Sequence, residues 1–150
     1  MIGAKNVKGG LVLVSLGLLA GLAMSLYAFD PIVQPPASLD RYDDLPRRLL
    51  RLAHISAIML PLLNIVLGAW IDRLALPSAA KQCASLLLLG GGALVPAALA
   101  VQAVWEPARS LHAAGLPVVA FCLGVFLVTL GAMRTNFRRN CDDRSRDAGP

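Results

Sequence analysis

Four long apolar runs constrain the fold of this chain more than any other feature. They predict helices over about residues 11–29, 46–71, 84–104 and 116–134. Each run is close to the ~20 residues that carry a helix across ~30 Å of hydrocarbon. The runs lack the alternation of a membrane β-barrel, and a helix satisfies its own backbone hydrogen bonds in lipid. We therefore predict an all-α, polytopic membrane protein, with a four-helix transmembrane bundle over 1–140 and a disordered cytoplasmic tail over 141–150.

Composition agrees with lipid as the main solvent of the chain. Hydrophobic residues make up 57% of it and charged residues 15%, with a mean hydropathy of +0.66. A soluble domain has about half apolar and a quarter charged residues. The net charge of +5 lies at the ends of the apolar runs and not on a face with interleaved aromatic residues. The predicted partner is therefore the lipid bilayer, and nucleic acid is excluded.

The distribution of lysine and arginine predicts the orientation in the membrane. Nine of these residues fall on the side of the two termini, and five fall on the other side. Positive charge accumulates on the cytoplasmic side of a membrane protein. We therefore predict a multi-pass protein of the bacterial inner (cytoplasmic) membrane with cytoplasmic N- and C-termini. The three cysteines form no CxxC pair, and neither a disulfide framework nor a metal site is predicted.

Small and polar residues in the apolar runs predict close helix packing. Gly17, Gly21 and Ser25 are four residues apart, and Gly124 lies in a similar stripe in the fourth run. Such stripes let two helix backbones approach closely, either within the bundle or between chains. Asn64 follows a proline in the second run and is predicted to bond across to another helix. Both packing within this chain and association with partner membrane subunits or a second copy are consistent with these residues.

His54 is the most informative single residue for a binding function. It shares one helical face with Arg47 and Arg51, so a polar stripe is predicted to run from the outer surface into the membrane. This stripe is suited to an anionic group, a quinone oxygen or a haem propionate; alternatively, the arginines reach lipid phosphates and His54 bonds a neighbouring helix. His112, in a predicted outer loop, makes paired imidazole ligation of haem b a further hypothesis.

Two resemblances accompany these residues. The spacing of His54 and Met59 resembles a His-x-x-x-x-Met pattern of some haem-bearing membrane helices. The layout, with four helices and a histidine early in the second, is loosely similar to small bacterial membrane mutases. The first resemblance implies a haem ligand at His54, and the second implies a small membrane enzyme.

Absences narrow the function classes. The apolar runs contain no aspartate or glutamate, which a proton or cation pathway normally needs. The sequence has no nucleophile beside a base, no phosphate-binding loop and no zinc motif, so no catalytic residue is predicted. The leading hypothesis is an accessory or structural subunit of a larger membrane complex. The alternatives are a haem b- or quinone-binding electron-transfer subunit and a small membrane enzyme.

Overall fold

The computed structural model describes residues 1–26, 33–34, 39, 43–110 and 112–147. This part of the chain is helical, and no strand occurs in it. The helices are α1 Ile2–Ser25, α2 Leu45–Ile71, α3 Ser78–Val104, α4 Glu106–Ser110 and α5 Gly115–Asp147. All except the short α4 are long and apolar enough to cross a membrane. The predicted all-α membrane fold with four spanning helices is therefore confirmed.

The first helix begins at Ile2, well before the apolar run that predicts it. The side chain of Asp72, just after α2, accepts hydrogen bonds from the backbone N–H groups of Ile2 and Gly3, both at 3.2 Å. A carboxylate at a helix N-terminus satisfies unpaired donors and complements the helix dipole. The cap comes from the residue that follows α2, so the local sequence around residue 2 does not reveal it. The predicted end near residue 29 lies outside the described residues.

The other helices also extend beyond the apolar runs. The third helix begins at Ser78, and the ammonium group of Lys81 donates to the Asp72 carbonyl at 2.8 Å. The last helix continues to Asp147, so the backbone of 141–147 is helical where the sequence predicts a disordered tail. The remaining residues, 148–150, lie outside the described part. That this segment is cytoplasmic stays a prediction.

The helices form an open arrangement around α3. The spanning helices that follow one another in the chain, α1 with α2, α2 with α3 and α3 with α5, pack along one another, and α1 also contacts α3. In the described part of the chain, α1 and α5 do not pack along each other. One buried cluster, which includes Ile71, Leu88 and Phe121, joins α2, α3 and α5 near the end where α1 begins. In the opposite half, cavities lie on both sides of α3.

Glycines bring the backbones of α1 and α2 into direct contact. Gly3, Gly10 and Gly17, seven residues apart, are all buried in α1. A Cβ atom at Gly17 would lie 2.7 Å from the carbonyl oxygen of Ala57. A seven-residue repeat keeps one helix face on its neighbour over several turns. The interface therefore depends on the absence of side chains along one line of α1.

The residues predicted for helix packing differ in which helix they contact, and one of them is exposed. Gly17 and Gly21 face α2 of the same chain, and Gly124 faces α3, where a Cβ would lie 3.0 Å from Leu88 Cγ. Ser25 does not join them, because it is exposed and its hydroxyl donates to the Leu22 carbonyl of its own helix at 2.7 Å. The stripe on α1 is thus used for packing inside this chain as far as Gly21.

A buried polar network ties three helices together. The side-chain amide of Asn6 donates to Asn64 Oδ1 at 2.7 Å, and the Ser85 hydroxyl donates to Asn6 Oδ1. Asn6 and Asn64 are fully buried, and Ser85 is 5% exposed. The network gives Asn64 the partner on another helix that its position predicts. Asn6 belongs to a segment that the sequence places outside the membrane run.

Candidate functional site: the His54 cavity

A cavity of about 260 Å³ lies between α1, α2 and α3, in the half of the bundle away from the chain's N-terminus. Among its described lining residues, His54 has the only polar side chain. Small residues leave the space, including Gly17, Ala53, Ala57 and Ala93. This volume is slightly below the roughly 300–1,000 Å³ of typical ligand sites, so it suits a single ring or a similar group.

The imidazole of His54 is held against α1. A Cβ atom at Gly21 would overlap the ring and lie 2.8 Å from its Nε2 atom, so a side chain at this position would require the imidazole to move. The Nδ1 atom is buried and has no hydrogen-bond partner among the described residues. Leaving a buried polar atom unsatisfied costs about 1–3 kcal/mol. The buried Nδ1 atom is therefore out of reach of the cavity, although the His54 ring lines it.

Two prolines change the backbone chemistry of the cavity wall. Pro61 and Pro96 lie inside α2 and α3 and have no N–H group. In an α-helix that group would bond to the carbonyl four residues earlier. These carbonyls belong to Ala57 and Gly92, and both residues line the cavity. The wall therefore contains two carbonyl groups without their usual helical donors.

One of the two carbonyls lies against α1. The Ala57 oxygen faces Gly17 of α1, as the 2.7 Å distance to a Cβ built there indicates. The Cα–H groups of Gly17 can provide a weak contact for the Ala57 oxygen.

The predicted arginine stripe does not reach the cavity. Neither Arg47 nor Arg51 lines it. The guanidinium group of Arg47 donates to the Leu39 carbonyl at 3.4 Å and so contacts the segment before α2. The structure places His54 on the inward face of α2, against α1, whereas the two arginines lie outside the lining of the cavity.

The two histidines are not brought together. His112 follows α4 with a φ of 48°, and its Nδ1 atom lies 3.1 Å from the Ser110 carbonyl oxygen. It lines a different cavity, of about 200 Å³, with Leu45, Leu49 and Gln102. Axial ligation by two histidines requires imidazoles on opposite faces of one haem. The described geometry does not provide that pairing.

Other groups in the described residues offer less chemistry. No group of three or more histidine, cysteine, aspartate or glutamate residues there is placed to hold a metal ion. A second cavity, of about 290 Å³, lies between α2, α3 and α5. Its Ser56 hydroxyl donates to carbonyls of its own helix. The His54 cavity therefore remains the best candidate site.

Sequence reasoning identified His54 but missed the elements that form its surroundings. Gly92 and Pro96 are the exception, because the sequence marks this stretch of α3 as one that can kink or admit a close neighbour. The contact of Gly21 with the imidazole carries no such signal, since it depends on how α1 and α2 are aligned. The chain is a small multi-pass membrane protein with four spanning helices. No protein-family model matches it, and no curated protein or solved structure is similar to it.

Proposed function

We propose that this protein binds a small apolar molecule of the quinone class, taken from the bilayer, in the His54 cavity. The observation that carries the proposal is the imidazole of His54, the only polar side chain among the described residues that line an otherwise apolar cavity. A quinone head has an apolar ring and oxygen atoms that bond to an imidazole. The cavity volume suits the head alone, and the isoprenoid tail would stay in the lipid.

Access from the membrane supports this class of ligand. Leu16 and Ala20 of α1 line the cavity and are also exposed on the bundle surface, which faces lipid. A molecule dissolved in the bilayer can therefore enter sideways without crossing the polar surface. Ligands that dissolve only in water would have to pass the ends of the helices.

Binding of a short-tailed benzoquinone to the protein in phosphatidylcholine nanodiscs tests the proposal. We expect His54→Leu to weaken binding about tenfold in calorimetric titration, because a hydrogen bond in the apolar cavity contributes roughly 1.5 kcal/mol. Ala93→Leu should also weaken binding, because the leucine side chain would occupy space in the cavity. His112→Leu is the matched control and should bind like the original protein, since His112 lines another cavity.

Two results would contradict this proposal. The first is a titration of the original protein that cannot be distinguished from that of empty nanodiscs. The second is equal affinity in the original protein and in both His54→Leu and Ala93→Leu. Circular dichroism of each variant establishes that the helices are retained.

A role as an accessory subunit of a larger membrane complex is the second proposal. The observation in its favour is the cavity of about 290 Å³ between α2, α3 and α5, which is lined by apolar residues such as Leu52 and Val118. A membrane-spanning helix of a partner subunit would pack there. The protein extracted in mild detergent should then have the mass of a stoichiometric complex, and a monomer without partners would contradict the proposal.

We also propose that the membrane is the bacterial inner membrane and that both termini are cytoplasmic. The lysine and arginine distribution supports this orientation, with nine residues on the side of the termini and five on the other. A fluorescent protein that folds only in the cytoplasm should fluoresce when fused after Pro150. Fluorescence from a fusion in the α3–α5 connection, and not from the C-terminal fusion, would reverse the orientation.

A further inference from the structure

We infer that the protein binds an anionic phospholipid in a cavity between the α2–α3 connection and α5, with the lipid phosphate on Arg134. This cavity has a volume of about 810 Å³ and lies at the end of the bundle where α1 begins. Its described lining residues are Ala75, Leu76, Pro77, Met133, Arg134 and Phe137. The inference does not depend on the His54 cavity, which lies in the other half of the bundle.

The two walls of this cavity are held together by specific contacts. The backbone N–H of Ala75 donates to the Thr135 hydroxyl at 2.8 Å, and this hydroxyl donates to the Gly131 carbonyl at 2.8 Å. A Cβ atom at Gly131 would lie 2.7 Å from Leu76 Cγ, so the connection approaches α5 closely. The contacts keep the connection against α5 beside the cavity.

The cavity lies at the level where the bundle leaves the membrane. The apolar run of α5 ends at Met133, directly before Arg134, and Met133 and Phe137 are 64% and 71% exposed. At the end of α2, the Trp70 ring is also exposed, and the guanidinium carbon of Arg73 lies 5.7 Å from its centroid. Exposed tryptophan and basic side chains are typical of the boundary between acyl chains and head groups. A phospholipid can therefore reach the cavity without leaving the bilayer.

The charge of the lining favours an anionic head group. Arg134 is the only charged residue in the described lining, and its guanidinium group has no ion-pair or hydrogen-bond partner among the described residues. The carboxylate of Asp72, at the same end, instead caps α1. A guanidinium group can form two parallel hydrogen bonds with a phosphate. Because the described lining contains no carboxylate, it offers no partner for the ammonium group of a zwitterionic lipid.

The apolar part of the lining favours a lipid over a water-soluble anion. A single exposed cation binds free phosphate weakly, because water and salt screen the attraction. An acyl chain adds contact with Leu76, Met133 and Phe137 and removes apolar surface from water. Inorganic phosphate cannot provide this contribution. The combination of one cation with an apolar wall therefore matches a phospholipid.

Lipid titration of the whole protein in mild detergent, followed by native mass spectrometry, tests the inference. We expect phosphatidylglycerol to bind about tenfold more tightly than phosphatidylcholine. Arg134→Gln should lower this ratio to below about threefold, because it removes the charge and keeps a polar side chain. Arg73→Gln is the matched control: it removes the same charge at the same end of the bundle but lies outside the described lining, so it should keep the original ratio.

A change in cavity shape provides a second test. Ala75→Leu keeps every charge and places a larger side chain in the cavity, so it should weaken phosphatidylglycerol binding while circular dichroism remains unchanged. Equal affinity of the unaltered protein for the two lipids would overturn the inference, and this result needs no variant. An equal loss in Arg134→Gln and Arg73→Gln would also overturn it, because general attraction to positive charge would then explain the binding. Displacement of the lipid by excess inorganic phosphate would overturn it in favour of a soluble anion.

Discussion

Gly17→Ala should destabilise the bundle by about 1–3 kcal/mol, although alanine favours a helix over glycine by about 1 kcal/mol. The added Cβ atom would lie 2.7 Å from the carbonyl oxygen of Ala57 and 3.0 Å from its carbonyl carbon. Both are backbone atoms inside α2, so they cannot rotate away as the end of a side chain can. The helices must separate instead, and contacts along the interface weaken. Equilibrium unfolding in mixed detergent micelles, followed by circular dichroism, measures the change.

Gly90→Ala is the matched control for this substitution. Gly90 also lies inside a membrane-spanning helix, but a Cβ built on it meets no atom within 4 Å. The same chemical change should therefore be neutral or stabilise the protein by up to about 1 kcal/mol. If the two variants changed stability equally, the close approach of α1 and α2 at Gly17 would be refuted. A Gly17→Ala protein that kept its stability but lost a bound subunit would indicate that the stripe serves a partner chain.

Asn6→Ala should destabilise the protein by about 2 kcal/mol, because it removes both hydrogen bonds of the buried network. Individual bonds between membrane helices contribute about 0.6–1.7 kcal/mol. Without the Asn6 side chain, the Oδ1 atom of Asn64 and the hydroxyl of Ser85 lose the partners that the network provides. Asn64 Nδ2 already has none among the described residues. The free energy of unfolding in mixed micelles measures the loss.

A double-mutant cycle separates the network from simple loss of packing. Asn6→Ala and Ser85→Ala remove the same hydrogen bond, so their effects should sum to more than that of the double variant by about 0.6 kcal/mol or more. Ser15→Ala in α1 is the control and should have almost no effect. Its exposed hydroxyl donates to the Leu11 carbonyl of its own helix. Strict additivity of Asn6→Ala and Ser85→Ala would argue against the network.

The sequence alone determined the class of fold and the number of spanning helices. A run of about twenty apolar residues forms a membrane-spanning helix whatever its neighbours are, because the helix satisfies its own backbone hydrogen bonds in lipid. This conclusion therefore required no knowledge of which helices pack together. The sequence also singled out Asn64 and His54, because polar side chains within an apolar run need a hydrogen-bond partner. For Asn64 the structure supplies that partner in Asn6. For His54 the described residues provide no hydrogen-bond partner at Nδ1, and the ring lines a cavity.

Only the tertiary structure decided what each helix face contacts. The helical period predicts which residues of α2 share a face, but the alignment with α1 decides that Gly21 covers the His54 ring. The start of α1 at Ile2 depends in the same way on Asp72, a residue about seventy positions away in sequence. The two histidines lie on the same predicted side of the membrane, yet they line separate cavities. Hydrophobicity fixes how deep a residue lies in the membrane, whereas neighbours around the helix axis depend on packing between helices.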